Sequence, residues 1–221
     1  MGAINFGINK PLVEKLAKEF KIANFIETGT YLGGTSSWAA GIFKEVFTIE
    51  ISEEIYHETS NKFKHLKNLH FNLGDSRHIL PKIIPSIQGS AIFWLDGHWC
   101  GRNTGGKHNE CPIMDELEQA VQVKDAIILV DDLRYFLGPN PNDHGENYPT
   151  VDSVIRYLVK TLPDHFITFH DDTLICAPIA CKKIIDADWS EGYFKRFPRS
   201  YKAMVSKMWW RIKRRDFNFK Q

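Results

Sequence analysis

Acidic residues stand where apolar or β-forming runs of this chain stop: Glu27, Asp75, Asp96 and the Asp131-Asp132 pair, with Glu50 in the last turn of another run. A single acid in such a place reads as a helix cap or a turn former. Repetition at one run end after another points instead to a shared polar site. The first of these ends continues as Glu27-Thr28-Gly29-Thr30-Tyr31-Leu32-Gly33-Gly34-Thr35. Its glycines let the backbone turn sharply and come close to a ligand. The pattern is Gly-x-x-x-Gly-Gly, not the Gly-x-Gly-x-x-Gly that cradles a pyrophosphate. An acid ahead of the first glycine, Glu27, suits a cationic ligand better than a phosphate. Glu50 follows Gly33 by 17 residues, where an acid can accept hydrogen bonds from a ribose diol. Asp75-Ser76 stands where an adenine edge could be met.

The elements that must position these residues are legible as alternating patterns. Helices are expected over 11–20, where Leu12, Leu16 and Phe20 recur at four-residue spacing, and over 35–43, 53–66, 113–121 and 151–162. Strands are expected over 24–28, 45–51, 70–73, 90–95 and 126–130, and two more over 165–170 and 173–178, joined tightly at Asp171-Asp172. Strands alternating with helices imply a doubly wound, Rossmann-like, mostly parallel α/β sheet covered on both faces, closed by an antiparallel edge hairpin. Ligands of such sheets bind outside the carboxyl ends of the strands, where the acids lie. The long stretches 101–111 and 138–149, rich in Gly, Asn and Pro, follow strand ends and are expected to serve function.

Glu-x-Gly-x-x-x-Gly, an acid ending the second strand and Gly74-Asp75-Ser76 ending the third together resemble the class I S-adenosylmethionine-dependent methyltransferases, over roughly residues 22–180. The resemblance implies that Glu27, Gly29, Thr30 and Gly33 lie around the methionine part of the cofactor, Glu50 at the ribose, and Asp75 and Ser76 at the adenine. Leu95-Asp96-Gly97-His98 and Val130-Asp131-Asp132 are similar to the metal-dependent sugar O-methyltransferases of the macrocin and aminocoumarin type. That implies Asp96, Asp131 and Asp132 as ligands of Mg²⁺ or another divalent cation, a hard oxygen set. It also implies a hydroxyl of a sugar or glycan as methyl acceptor. That family has a second Asp two residues after the first; this chain has His98. The imidazole can take a hydroxyl proton, which would make His98 and Asp96 the catalytic residues; it can equally be a ligand or a neighbour.

Other readings stand beside this one. His98, Cys100, His108 and Cys111 fall within 14 residues and are of zinc-binding types, but their spacing matches no common zinc pattern. Cys100 and Cys111 form no C-x-x-C. A nucleotide-dependent oxidoreductase could use the same sheet class, against the altered glycine pattern. A non-catalytic nucleic-acid or membrane-binding protein could use only the C-terminal tail.

That tail sets the charge of the chain. The net charge is +1 over 221 residues, yet residues 192–221 carry ten Lys or Arg against Asp216 alone, leaving a mildly acidic body. Tyr201, Val205, Met208, Trp209 and Ile212 form an apolar stripe at helical spacing among these cations. Three readings are open: a helix docked on the body, an interfacial helix over residues 201–215 on an anionic membrane, and nucleic-acid binding, which no recognised module favours. The expected division is a methyltransferase domain over 1–185 and a basic extension over 186–221. With 43% hydrophobic and 25% charged residues the composition is that of a globular domain, which excludes collagen-like, disordered and disulfide-scaffold classes. No apolar run reaches the roughly 18 residues of a membrane span. The N-terminus lacks a secretion-signal pattern, and four cysteines suggest reduced thiols and a cytoplasmic location, peripheral at the inner membrane surface if the tail binds lipid.

Overall fold

The computed structural model describes residues 7–97, 111–138 and 148–196, the side chains of 193–196 excepted. By its contacts the chain divides into one compact unit of residues 4–184 and another of residues 1–3 and 185–221. The first unit opens with α1 (Lys10–Glu19). The Asn9 side chain caps it by accepting the Leu12 N–H, and Leu12, Val13, Leu16 and Ala17 form its buried stripe. Then come β1 (Asn24–Thr28), α2 (Gly34–Ala39), β2 (Glu45–Glu50), α3 (Glu53–Lys62), β3 (Leu69–Leu73), α4 (Ser76–Ile83), β4 (Ala91–Leu95), α5 (Ile113–Ala120), β5 (Ile127–Val130), α6 (Val151–Thr161), β6 (His165–His170) and β7 (Thr173–Pro178). The final helix, α7, spans Lys182–Arg196.

Among the described residues the strands form one sheet in the order β3-β2-β1-β4-β5-β7-β6. All pairings are parallel except those of β7, which is antiparallel to both β5 and β6. This is the expected doubly wound sheet, with the direction of winding reversing between β1 and β4, where ligand crevices form. The hairpin lies at the edge as anticipated, but its second strand takes the inner place. The cause is visible in the residues: β7 reads Thr-Leu-Ile-Cys-Ala-Pro and is buried almost throughout, whereas β6 is largely half-buried and holds the rim.

One face of the sheet packs under α4, α5 and α6: Leu80, Ile83, Leu117, Val154 and Leu158 meet Ile26, Phe93, Leu95, Ile128, Val130 and Leu174. On the other face Phe25 meets Trp38 edge-to-face and Phe43 at a tilt. The register places Glu27 beside Trp94, Trp94 beside Leu129, and Leu129 beside Ile175, so these four share that second face.

Helix α4 is an addition to the sequence expectation. Pro81 inside it reads as a breaker, yet Leu80 and Ile83 are buried and an Asp75 cap starts the helix. Burial of the apolar face outweighs the one hydrogen bond that proline removes. Helix α3 stops at Lys62 with Phe63 as its cap, four residues short of the expected end.

Candidate functional site

The carboxyl ends of β1, β2, β4 and β5 meet at one edge of the sheet, joined by backbone bonds. Gly29 N–H donates to the Ile49 carbonyl at 3.0 Å, Asp96 N–H to the Thr28 carbonyl at 3.2 Å, and Asp131 N–H to the Leu95 carbonyl at 3.1 Å. The glycines of the first turn are required by close approach. Gly29 has φ +86°, and a β-carbon on it would clash with the backbone carbonyl of Asp96. Gly33 has φ +71° and caps α2; its β-carbon would lie 2.7 Å from the Phe63 ring. The sequence pattern assigns these glycines to a ligand; the structure adds that Gly29 is first needed to let β1 and β4 meet.

Glu27 is only 2% exposed. Its Oε2 accepts from Ser36 Oγ at the start of α2 and from Thr48 Oγ1 of β2 at 2.9 Å, and Thr48 in turn bonds Thr30 Oγ1 at 2.6 Å. Burial pushes its carboxyl up to about 7, although the hydroxyl hydrogen bonds pull the other way. Glu27 therefore ties β1, β2 and α2 together beneath the glycine turn.

Glu50 is placed differently. It ends β2 and is 6% exposed. Oε2 accepts the N–H of Tyr31, from the glycine turn, at 3.0 Å, and Oε1 accepts the N–H of Ser52 at 2.9 Å. Each oxygen keeps a second lone pair, so the group is fixed in orientation and still able to accept. Tyr31 reaches this position with φ +45° and leaves its side chain exposed.

Asp75 caps α4. Its Oδ1 accepts Arg77 N–H at 3.0 Å, and the Arg77 guanidinium bonds both carboxylate oxygens, with Nη2 2.5 Å from Oδ2. The hydrogen bonds from Arg77 hold its carboxyl below the ordinary range against the opposing effect of burial. Ser76, the first residue of α4, is buried.

The three proposed metal ligands do not come together as a set. Asp96 and Asp131 follow adjacent strands, but Asp132, in the left-handed conformation at φ +53°, forms an ion pair with Arg134 at 2.5 Å. Arg134 also pairs with Asp172 of the β6–β7 turn. Among the described residues no three His, Cys, Asp or Glu side chains are grouped so as to hold a metal ion. A carboxylate that already neutralises a guanidinium does not fit a three-acid cation site. His98, Cys100 and His108, most of the 101–111 and 138–149 stretches and the 201–215 tail lie outside the described residues. Cys111 is buried, and burial pushes its thiol up to about 12, away from a ready metal or redox thiolate.

Four participants are not singled out by the sequence. Ser36 and Thr48 look like ordinary helix-start and strand residues, and only the fold brings them to Glu27. Arg134 had no pattern to mark it. Glu116 of α5 did carry a signal: it sits on the same helical face as Ile113, Leu117 and Ala120 and is 1% exposed. Its Oε1 would be 2.8 Å from a β-carbon on Gly97, so the chain after Asp96 passes close over it.

No family model and no curated protein matches the chain. Solved structures do resemble it. A Staphylococcus aureus protein assigned as a caffeoyl-CoA O-methyltransferase superposes with TM-score 0.57 at 15% identity, over 79% of this chain and 86% of that one. A cofactor-bound protein from MTB, Rv0187, gives 0.54 at 13%, covering 78% and 81%. An SAH-bound methyltransferase from Podospora anserina gives 0.52 at 17%, covering 75% of each chain. At such identities the likeness is one of fold: the chain has the Rossmann-like architecture of these proteins, two of which are named methyltransferases.

No helix among the described residues is long and apolar enough to cross a membrane.

Proposed function

We propose that the chain binds S-adenosylmethionine at the edge formed by β1, β2 and β4 and transfers its methyl group to an oxygen acceptor, a hydroxyl of a sugar or glycan. The observation that carries the reading is Glu50, clamped between Tyr31 N–H and Ser52 N–H with acceptor capacity left on both oxygens. That suits the two hydroxyls of a ribose, beside the point where the sheet reverses its winding. The cofactor supplies a methyl already activated on a sulfonium. The chain has to orient it, exclude water and receive one proton. Glu50 orients the ribose, the backbone from Gly29 to Gly33 makes room for the methionine part, and Asp75-Ser76 flank the adenine. We assign Asp96 and His98, which follow β4 in the sequence, to the acceptor, with His98 taking the hydroxyl proton as the oxygen gains its methyl. The three acids do not fit a shared cation, so no step here is routed through a metal. The basic tail, by its charge alone, would hold the enzyme to anionic lipid.

Calorimetry with S-adenosylmethionine, S-adenosylhomocysteine and NAD tests this. The two methionine cofactors should bind and NAD should not. Glu50→Ala should weaken them about 10- to 100-fold, the range for hydrogen bonds to a charged group. Binding of NAD alone would overturn the reading. Incubation with candidate glycans, read by mass for the gain of one methylene, tests the acceptor.

A further inference from the structure

A cleft lies on the α1 face of the sheet, one row of side chains below the strand-end acids. It measures about 410 Å³ and is lined on its apolar side by Trp94, Leu129 and Ile175, with Asn9, Lys10, His170, Asp171 and Thr173 as polar members. That volume falls within the range of small-molecule sites, which combine apolar walls with a few placed polar groups.

The chemistry of its polar end follows from a chain of hydrogen bonds. Asn9 caps α1, so its Oδ1 is fixed as the acceptor of the Leu12 N–H at 3.1 Å. The Asn9 amide nitrogen therefore faces the His170 ring, 3.1 Å from Nδ1. An amide N–H can only donate, so Nδ1 accepts and the ring proton of the neutral imidazole sits on Nε2. His170 is 8% exposed and its Nε2 is buried with no hydrogen-bond partner. A buried donor left without an acceptor requires an explanation. His170, at the end of β6, is itself part of the lining of this cleft.

We infer that this cleft is a binding pocket for a small molecule with an apolar body and one hydrogen-bond-accepting oxygen, which takes the Nε2–H of His170 while Trp94, Leu129 and Ile175 hold the apolar part. The inference does not depend on the methyl-transfer reading. A buried donor with no partner of its own selects a carbonyl or similar oxygen over a hydrocarbon of equal shape, because the hydrocarbon leaves that donor unmatched.

The experiment uses the full chain with ¹⁵N-labelled histidine rings, His170 being assigned by the signals lost in His170→Gln. The probes are acetophenone and α-methylstyrene, which differ by a carbonyl oxygen in place of a methylene. The ring of His170 should be protonated at Nε2, and acetophenone should shift that nitrogen saturably. Acetophenone should bind at least about fivefold tighter than α-methylstyrene, the factor for one hydrogen bond. His170→Phe should bind the two probes equally. Ile175→Trp, which fills the floor and keeps His170, should bind neither, and it serves should the Phe variant not fold. A proton on Nδ1, equal affinity for both probes in the unmodified chain, or no saturable shift, as for a pocket that holds only water, would overturn the inference.

Discussion

The α-carbon of Gly29 packs against the backbone carbonyl of Asp96, so the turn after β1 and the end of β4 share a space that any side chain would need. With φ at +86° the residue is also in a conformation that disfavours a β-carbon. Gly29→Ala should cost at least about 2 kcal/mol of stability, since left-handed strain alone is about 1–2 kcal/mol and the carbonyl must also move. Gly34→Ala is the control. A β-carbon there meets nothing, and the residue opens a helix, so the change should be neutral or stabilise by up to about 1 kcal/mol. Urea unfolding of both variants checks the contrast. A loss of ligand affinity in Gly29→Ala without loss of stability would mean that the ligand, not β4, sets the requirement.

Asp75 is predicted to matter for stability before any ligand is present. It caps α4 and grips Arg77. Asp75→Ala should cost about 1–2 kcal/mol at neutral pH, the usual worth of an N-cap, and Asp75→Asn less, because the amide oxygen still caps. The carboxyl is held below its ordinary 3.8 by Arg77. Its stabilising effect is therefore complete above about pH 4 and is lost as pH falls through the lower folded value. The difference between native and Ala variant should shrink in that acid window. An unchanged midpoint in Asp75→Ala would remove the capping role.

How far these relationships were legible depends on their range. The strands were readable because apolar runs such as Ala91–Leu95 and Ile127–Val130 are bounded by acids and turn residues, a local signal. Glu50 was readable because its distance from the glycine turn is a sequence distance. The Glu27 network was not, since Ser36 and Thr48 reach it from two other elements. Three aspartates at adjacent strand ends invited a metal, but nothing local says that Arg134 folds back onto Asp132. Helix α4 was hidden by Pro81, whose local penalty is overridden by burial of Leu80 and Ile83. His170 had no signal at all: its role is written in Asn9, 161 positions away.

Arg134 joins the chain after β5 to the β6–β7 turn. Its guanidinium meets Asp132 and Asp172, its N–H donates to Asp172 Oδ1 at 3.0 Å, and Leu133 N–H donates to the Asp172 carbonyl at 2.8 Å. Asp172 is buried, so truncating the cation strands a carboxylate. Arg134→Met should destabilise by about 1–3 kcal/mol, and Asp172→Asn by a similar amount. The double variant should lose less than their sum, with a coupling of about 0.5–3 kcal/mol. Strict additivity in a urea-based double-mutant cycle would show that the pair does not act as a clamp.

Glu27 gives the fold a pH dependence of uncommon sign for a carboxylate. Burial lifts it from 4.5 to about 7 in the native state, while the unfolded chain titrates near the ordinary value. Between those two pH values the folded protein holds a proton that the unfolded chain has released. Stability must then fall as pH rises through the window and level off above about pH 7. At roughly 1.4 kcal/mol per unit, the full effect is on the order of 3 kcal/mol. Glu27→Gln keeps an oxygen for Ser36 and Thr48 and carries no charge at any pH. Relative to the native chain, the variant should gain about 3 kcal/mol between pH 4.5 and pH 8. Unfolding by urea at half-unit pH steps measures this directly. Parallel pH profiles in the two proteins would show that Glu27 is not the group that titrates, and that the hydroxyls of Ser36 and Thr48 hold its carboxylate ionised despite burial.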